Sequence, residues 1–597
     1  MDDQNKNLIL AVALSMLVIL AWSVLFPPPE PTPEQIAANA PESQTTGSSE
    51  ATVPTATAEA GTATTTQPTK DLSASAARVA IETDTLSGSI SLAGGRIDEL
   101  SLKNYRETLD ENSKIVQLLK PTSEDEAYYA LFGWAPSTGL TLDTVPGAST
   151  IWSVESGETL TQDSPVTLVW DNGAGLVFRR EISLDDASMF SITQTVENTG
   201  AGTVALAAYA TVARHGEPSD MKNFFVLHEG AINSVDGQYA ETNYDDISPS
   251  SDFEELTMAE YGWTGFTDHY WQTALIVNEP GTKLSTYHDP RSDIFQATTK
   301  HATHTLAAGQ TVSASTRLFA GAKEWETIRN YENTQNVPQF LDSIDWGWFF
   351  FITKPMFWLL HNINLLIGNM GWAIIGLTFV IKLILFPLAY KSYASMAKMK
   401  ELQPQMEKIK ENAGDDRQKV QQEMMALYKK EGANPAAGCL PILLQIPIFF
   451  SLYKVIFVTL ELRHAPWIGW INDLSAPDTS TIYNLFGLLP WDAPAAGSTM
   501  ALVFIGVLPI LLGVTMWLQQ KLNPAPSDPV QQQIFAWMPW VFMFMLGSFA
   551  SGLVIYWIAN NTITFTQQYL IMRWHGYKPD VFGNITSSFK KKTKESE

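Results

Sequence analysis

The chain has 597 residues, 45% of them hydrophobic, and a formal net charge of −24 that is unevenly spread: residues 27–345 hold 17 Lys+Arg against 45 Asp+Glu, and the rest holds 21 against 17. The acidic stretch is excluded as a nucleic-acid binder, because phosphate recognition needs a basic footprint. A single cysteine, Cys439, excludes an intrachain disulfide, so any soluble domain must fold by burial alone.

Leu8 to Phe26 is an apolar run of 19 residues, long enough to cross a bilayer. The preceding MDDQNKN is not basic and no small-residue cleavage site follows, so residues 1–26 read as an uncleaved transmembrane anchor. Residues 27–77, rich in Pro, Thr, Ala and Ser, read as a disordered tether. Over 78–340 short alternating stretches, such as Leu176–Leu184 and Phe190–Val196, are broken by Gly, Asn and Asp turns; this predicts a large all-β sandwich. Its His215, His228, His269 and His288 are scattered without metal-ligand spacing, and no nucleophile elbow or phosphate loop occurs, so neither catalysis nor a cofactor or metal is expected. Sugar-binding sandwiches of the mutarotase type share such patterning, which leaves a carbohydrate site as an alternative.

The aromatic stretch 345–367, DWGWFFFITKPMFWLLHNINLLI, reads as a helix lying on the outer membrane surface. Five further spans are expected at 370–390, 438–460, 500–520, 534–549 and 552–571, making six with the anchor and placing both termini on one side. The segment 391–437 carries nine Lys/Arg and the tail 573–597 six, whereas 461–499 carries only Arg463. The positive-inside rule therefore puts the termini in the cytoplasm and the acidic domain outside. The fifth span is short, which implies local thinning or shelter by neighbours. The fold class is a polytopic α-helical membrane protein with a large external β domain.

Within the basic segment, 391–435 carries two apolar stripes, Met396, Met399, Leu402, Met406 and Ile409, then Val420, Met424, Leu427 and Tyr428, separated by Ala413-Gly414 with Asp415 or Asp416 as N-cap. An antiparallel helical hairpin follows, and its methionines, Met425 included, suit varied apolar clients.

Lys382 lies alone in the apolar run Gly371–Leu388, where a charge costs ~2.5–3.5 kcal/mol at the centre of a membrane helix and marks a functional site unless it snorkels. Depth assignment gives it company: it sits roughly 9 Å from the cytoplasmic end of its span, Gln445 at about 8 Å and Thr564 at about 10 Å. Thr378 lies one turn further out, and Tyr556, Asn560, Thr564 and Gln567 share one face of the last span. No carboxylate lies in the five later spans, so water in a groove open to the cytoplasm is the cheapest way to keep Lys382 charged. Lys454, near the outer end of its span, is read as snorkelling.

These residues, with SMAKMKELQP at 395–404, QEMMALYKKEGANPAAGCLPILLQIPIFFSLY at 422–453 and SGLVIYWIANN at 551–561, resemble the YidC/Oxa/Alb family of membrane insertases over essentially the whole chain. The resemblance implies a β-supersandwich outside the bacterial inner membrane, a five-helix insertase core at 368–572, and a hydrophilic groove whose cation attracts acidic parts of incoming chains. It implies a groove of Lys382, Thr378, Gln445, Tyr556, Trp557, Asn560, Thr564 and Gln567, and a greasy slide of Ile442, Ile446, Phe449, Phe450, Trp537 and Phe542. Implied partners are nascent membrane proteins with short acidic or polar tails, the Sec translocon, the lipid bilayer, and the ribosome and targeting machinery through hairpin and tail. Two positions depart from the family: most bacterial relatives carry arginine in place of Lys382, and Trp557 replaces the second residue of a common Tyr-Tyr pair.

A small-solute transporter would show repeated halves or several intramembrane ligands. An intramembrane protease would need a histidine in a span to activate Ser548 or Ser551, and none is present in the five later spans.

Overall fold

The computed structural model describes residues 76–577 and 579, apart from 223–226, 415, 433–439, 487, 490, 492–493, 495–497, 499, 501–503 and 524–528. The anchor read at 1–26, nearly all of the tether and the tail after 579 lie outside the described residues.

Residues 78–322 form two sheets of eleven and nine strands, antiparallel throughout except where Arg78–Glu82 runs parallel to Thr159–Leu160. The alternation that predicted strands also sets the core: in Leu176–Leu184, Leu176, Phe178, Arg180, Ile182 and Leu184 face inward. Its partner, Met189–Asn198, pairs Phe190 with Leu184 and Val196 with Phe178, so both strands give their apolar sets to one face. Between the sheets lie Phe132, Trp134, Phe178, Phe190, Phe266 and Leu318.

Arg180 occupies an inward position and is fully buried. Its guanidinium donates to the carbonyls of Gly95 at 2.8 Å, Gly94 at 3.2 Å and Phe132, and lies 4.5 Å over the Trp152 ring. Burial lowers its pKa to about 9, and the carbonyls and π face take the place of a counter-ion. Gly95 is required there: its φ is +59°, and a Cβ would stand 2.3 Å from Arg180 Nη1.

The helical region begins with α1 (Trp325–Thr334), α2 (Phe350–Ile367) and α3 (Met370–Ile384), followed by α4 (Phe386–Ala413) and α5 (Arg417–Glu431). It continues with α6 (Leu440–Val458), α7 (Val507–Leu522), α8 (Pro529–Met545) and α9 (Ser551–Trp574). Among the described residues α2 alone is by itself long and apolar enough to cross a bilayer, and α3 with α4 pass together across a 69° bend. The stretch read as one span at 370–390 thus breaks at Leu385. Pro387 has no N–H for the Leu383 carbonyl and disfavours helical geometry in the residue before it. Helix α7 starts at Val507, later than the span read at 500–520. In the hairpin Asp416 caps α5 by accepting from Lys419 N at 3.0 Å, and Tyr428 meets Met406 across the two helices at 3.5 Å. Met396 packs on Ile571 of α9, Met399, Met406 and Met424 are half-buried, and Met425 is exposed.

One continuous apolar cluster joins Trp263 and Phe319 of the β domain to Phe357, Ile374, Leu452, Leu512 and Tyr556 of the helices. Polar contacts reinforce the joint at and just after the end of α6: His269 donates from Nε2 to the Phe457 carbonyl at 2.6 Å, and Arg463 donates to the Arg106 carbonyl at 2.6 Å. Lys454, read as snorkelling, instead pairs with Asp345, which also accepts from His228 N at 2.9 Å. Its partner stands 109 positions earlier in the chain and leaves no local trace. Glu461 accepts weakly from Trp325 N at 3.4 Å, and its second oxygen is buried without a partner among the described residues. Burial raises its pKa to about 7.

Two outcomes are expected in denaturant unfolding of the detergent-solubilised protein. Arg180→Ala leaves a cavity and three unbonded carbonyls and lowers β-domain stability by ~3–5 kcal/mol; Gly95→Ala lowers it also. Because Glu461 binds its proton more tightly folded than unfolded, its contribution is present in full below pH ~4.5 and is lost as pH rises to about 7. Glu461→Gln should flatten stability across that window.

Candidate functional site

Three helices converge on Lys382. It sits in the last turn of α3, where the negative end of the helix dipole favours a cation. Its Nζ donates to Gln445 Oε1 of α6 at 3.3 Å, and Gln445 Nε2 donates to the Tyr556 hydroxyl of α9. The amide thus has both ends engaged, and the cation, amide and buried phenol form one polar line across the bundle. Among the described residues no carboxylate pairs with Lys382. The line depends on close packing: at Gly552, in the first turn of α9, a Cβ would meet Ile374 at 3.2 Å and Ile456 at 3.3 Å, so glycine lets α9 approach α3 and α6.

Beside Lys382 and Gln445 opens a small cleft, lined also by Leu385, Leu388, Tyr393 and Gln567, with space of about 20 Å³, enough for about one water. Gln567 therefore joins the site from α9 and Tyr393 from α4, the latter a contributor that the sequence pattern did not single out. Further along α9, Asn560, Asn561, Thr564 and Gln568 are all buried. Asn560 donates to Asn561 Oδ1 at 3.4 Å; Asn560 Oδ1 and Asn561 Nδ2 have no partner among the described residues. Gln568 bonds Asn523 at 3.1 Å. Asn561 and Gln568 escaped detection because they lie off the stripe through Tyr556, Asn560, Thr564 and Gln567.

Thr378 does not join the line: it is buried and returns its hydroxyl to the Ile374 carbonyl at 2.7 Å, a bond available to any helical threonine. Trp557 packs edge-on against Phe449 at 5.1 Å, its indole N–H buried without a partner among the described residues. Of the apolar residues expected on a slide, Ile446, Phe450 and Trp537 are exposed, whereas Phe449 and Phe542 pack partly into the bundle. Ile442 falls in the first turn of α6, its side chain outside the described residues.

A bundle that turns leucine, phenylalanine and tryptophan outward and holds a cation with amides inside defines an integral membrane protein with a polar interior. The chain matches the family described as YidC periplasmic domain over residues 78–359 and that described as 60Kd inner membrane protein over 362–578. A protein of Roseobacter denitrificans named Membrane protein insertase YidC is 62% identical over 608 residues, covering 100% of this chain and 99% of its own length. The protein of that name in Ruegeria pomeroyi is 60% identical over 613 residues, with 100% and 99% covered. The chain belongs to the YidC family. A solved structure described as an active YidC insertase aligns with 16% identity and a TM-score of 0.35 over 82% of this chain and 92% of its own. A galactose mutarotase-like protein from Lactobacillus casei aligns with 12% identity and a TM-score of 0.27 over 41% and 100%.

The Gln445–Tyr556 bond is testable by a double-mutant cycle. Gln445→Ala and Tyr556→Phe, unfolded singly and together in micelles, should show a coupling of ~0.6 kcal/mol and at most ~1.7 kcal/mol, the range measured inside membrane bundles. Strict additivity would show that the two side chains do not interact.

Proposed function

We propose that this chain is a membrane protein insertase in which Lys382 attracts acidic or polar tails of incoming chains into the bundle from the cytoplasmic side. The observation that carries this is that Lys382 is held by a neutral amide. A carboxylate partner would neutralise the cation and compete with a substrate; the Gln445 oxygen can be exchanged for a substrate carboxylate at little cost. Tyr556 holds the amide in place, while Gln567 and the water-sized cleft supply solvation beside the charge.

Membrane topology follows the charge distribution. The hairpin of α4 and α5 and the basic tail are cytoplasmic, and the β domain lies outside in the periplasm, with the six spans crossing the inner membrane. Helix α2 lies on the outer surface. Lys354 bonds Asp342, and His361 bonds Glu326 of α1 at 2.9 Å. These two anchors stand roughly 10 Å apart along the helix, and a crossing helix could not keep both beside the external domain.

Once the tail is captured, the apolar segment moves into lipid along Ile446, Phe450 and Trp537. Burial of its leucine-like residues contributes about −0.3 to −0.6 kcal/mol each. A membrane potential positive outside adds ~2.3 kcal/mol per acidic charge per 100 mV. No nucleotide or metal enters this scheme. The Sec translocon is a partner, and ribosome and targeting factors meet the hairpin, where Met425 is exposed, and the basic tail.

The test is depletion of the protein followed by pulse-labelling of short single-span clients with acidic tails. Lys382→Arg should restore insertion. Lys382→Ala and Lys382→Glu should reduce it by about tenfold or more, the equivalent of ~1.4 kcal/mol of lost attraction, and clients with neutralised tails should lose this dependence. Equal rescue by Lys382→Ala and Lys382→Arg would refute the point-charge role.

A further inference from the structure

From Thr479 to Trp491, in the segment before α7, the chain contains no charged residue. Ile482, Tyr483, Leu485, Phe486, Leu488 and Trp491 are nevertheless exposed, Leu488 by 84%. Exposure of this kind in a loop open to water would be costly, and several of the loop's own amides are bonded within it. The amides of Leu485, Phe486, Leu488 and Leu489 donate to the carbonyls of Ile482, Thr481, Leu485 and Asn484 at 2.8–3.3 Å. Tyr483 N bonds Thr481 Oγ1 at 3.2 Å, and the Trp491 indole N–H bonds the Tyr483 carbonyl at 2.9 Å. Leu485 and Phe486 are held at φ of 49° and 59°, left-handed backbone that bulky residues rarely adopt.

The carboxylate at one end is also engaged: Asp478 accepts from Ser480 N, from Trp470 Nε1 at 2.9 Å and from Leu508 N at 2.8 Å. The loop is fixed to the start of α7 through Ile482 N to the Ile505 carbonyl at 3.1 Å and Thr481 Oγ1 to the Phe504 carbonyl at 2.7 Å. On that helix Leu511 and Val514 are exposed as well.

We infer that this loop is immersed in the acyl region of the outer leaflet, where it anchors the outer end of α7. Backbone placed in hydrocarbon must satisfy its hydrogen bonds internally, and this loop does so at each amide named. Tryptophans at a membrane surface ordinarily keep the indole N–H at headgroup level. Trp491, with its N–H already bonded, can go deeper. The inference rests on the reading that the bundle spans the bilayer.

Single-cysteine variants in a Cys439→Ser background, labelled with an environment-sensitive fluorophore and reconstituted into phosphatidylcholine vesicles, separate the two readings. Leu488→Cys and Ile482→Cys should be quenched by nitroxide-bearing lipids as strongly as Val541→Cys on the exposed face of α8, and should resist aqueous iodide. Leu142→Cys on the β domain should show the reverse. If both loop labels are quenched by iodide and not by lipid while Val541→Cys is quenched by lipid, the loop is aqueous or awaits a protein partner, and the inference is overturned. If Val541→Cys also fails to meet lipid, the spanning reading falls with it.

Discussion

The hydrogen bond from Lys382 to Gln445 is the interaction around which the polar interior of the helical region is built. A cation inside an apolar bundle needs a partner, and partner choice decides what the site can do. An amide stabilises the charge without cancelling it, and Tyr556 fixes that amide from a third helix. The close approach of α9 permitted by Gly552 and the dipole at the end of α3 hold a cation that has no carboxylate partner among the described residues in the company of uncharged polar groups. In the role proposed for it, Lys382 needs no guanidinium fork, because attraction of a flexible acidic tail takes a point charge rather than a fixed bidentate geometry.

The β domain is not an appendage. A second apolar cluster beside its sandwich core, with Trp263 and Phe319, continues into the helices, and the outer end of α6 and the residues after it are held by His269, Asp345 and the backbone of Arg106, with Glu461 buried beside Trp325. Helix α6 carries Gln445 at one end of its apolar length and Lys454 near the other, so the helix that positions the amide is gripped outside by the acidic domain.

Much of this was legible in the sequence because periodicity carried it. Period-2 alternation marked Leu176–Leu184 and Met189–Asn198, and even the parity that turns Arg180 inward could be read from Phe178 and Ile182. Reckoning depth along the spans brought Lys382 together with Gln445 and placed Tyr556 on the polar face of α9. What escaped lies in contacts between distant positions: Lys454 with Asp345, Gln568 with Asn523, Tyr393 beside Lys382. The break at Leu385 was signalled by Pro387 yet masked by unbroken hydrophobicity. Thr378 shows the opposite failure, since a polar residue at a suitable depth spent its hydroxyl on its own helix.

Arg180 has a further consequence for how the β domain comes to be folded. Its three carbonyl bonds close segments of 48, 85 and 86 residues, the long loops whose closure a covalent cross-link would otherwise stabilise. Residues 76–345 contain no cysteine, so this staple is made of one guanidinium. It forms with the fold and needs neither an oxidant nor an isomerase, which leaves the domain's maturation indifferent to the redox state of its compartment.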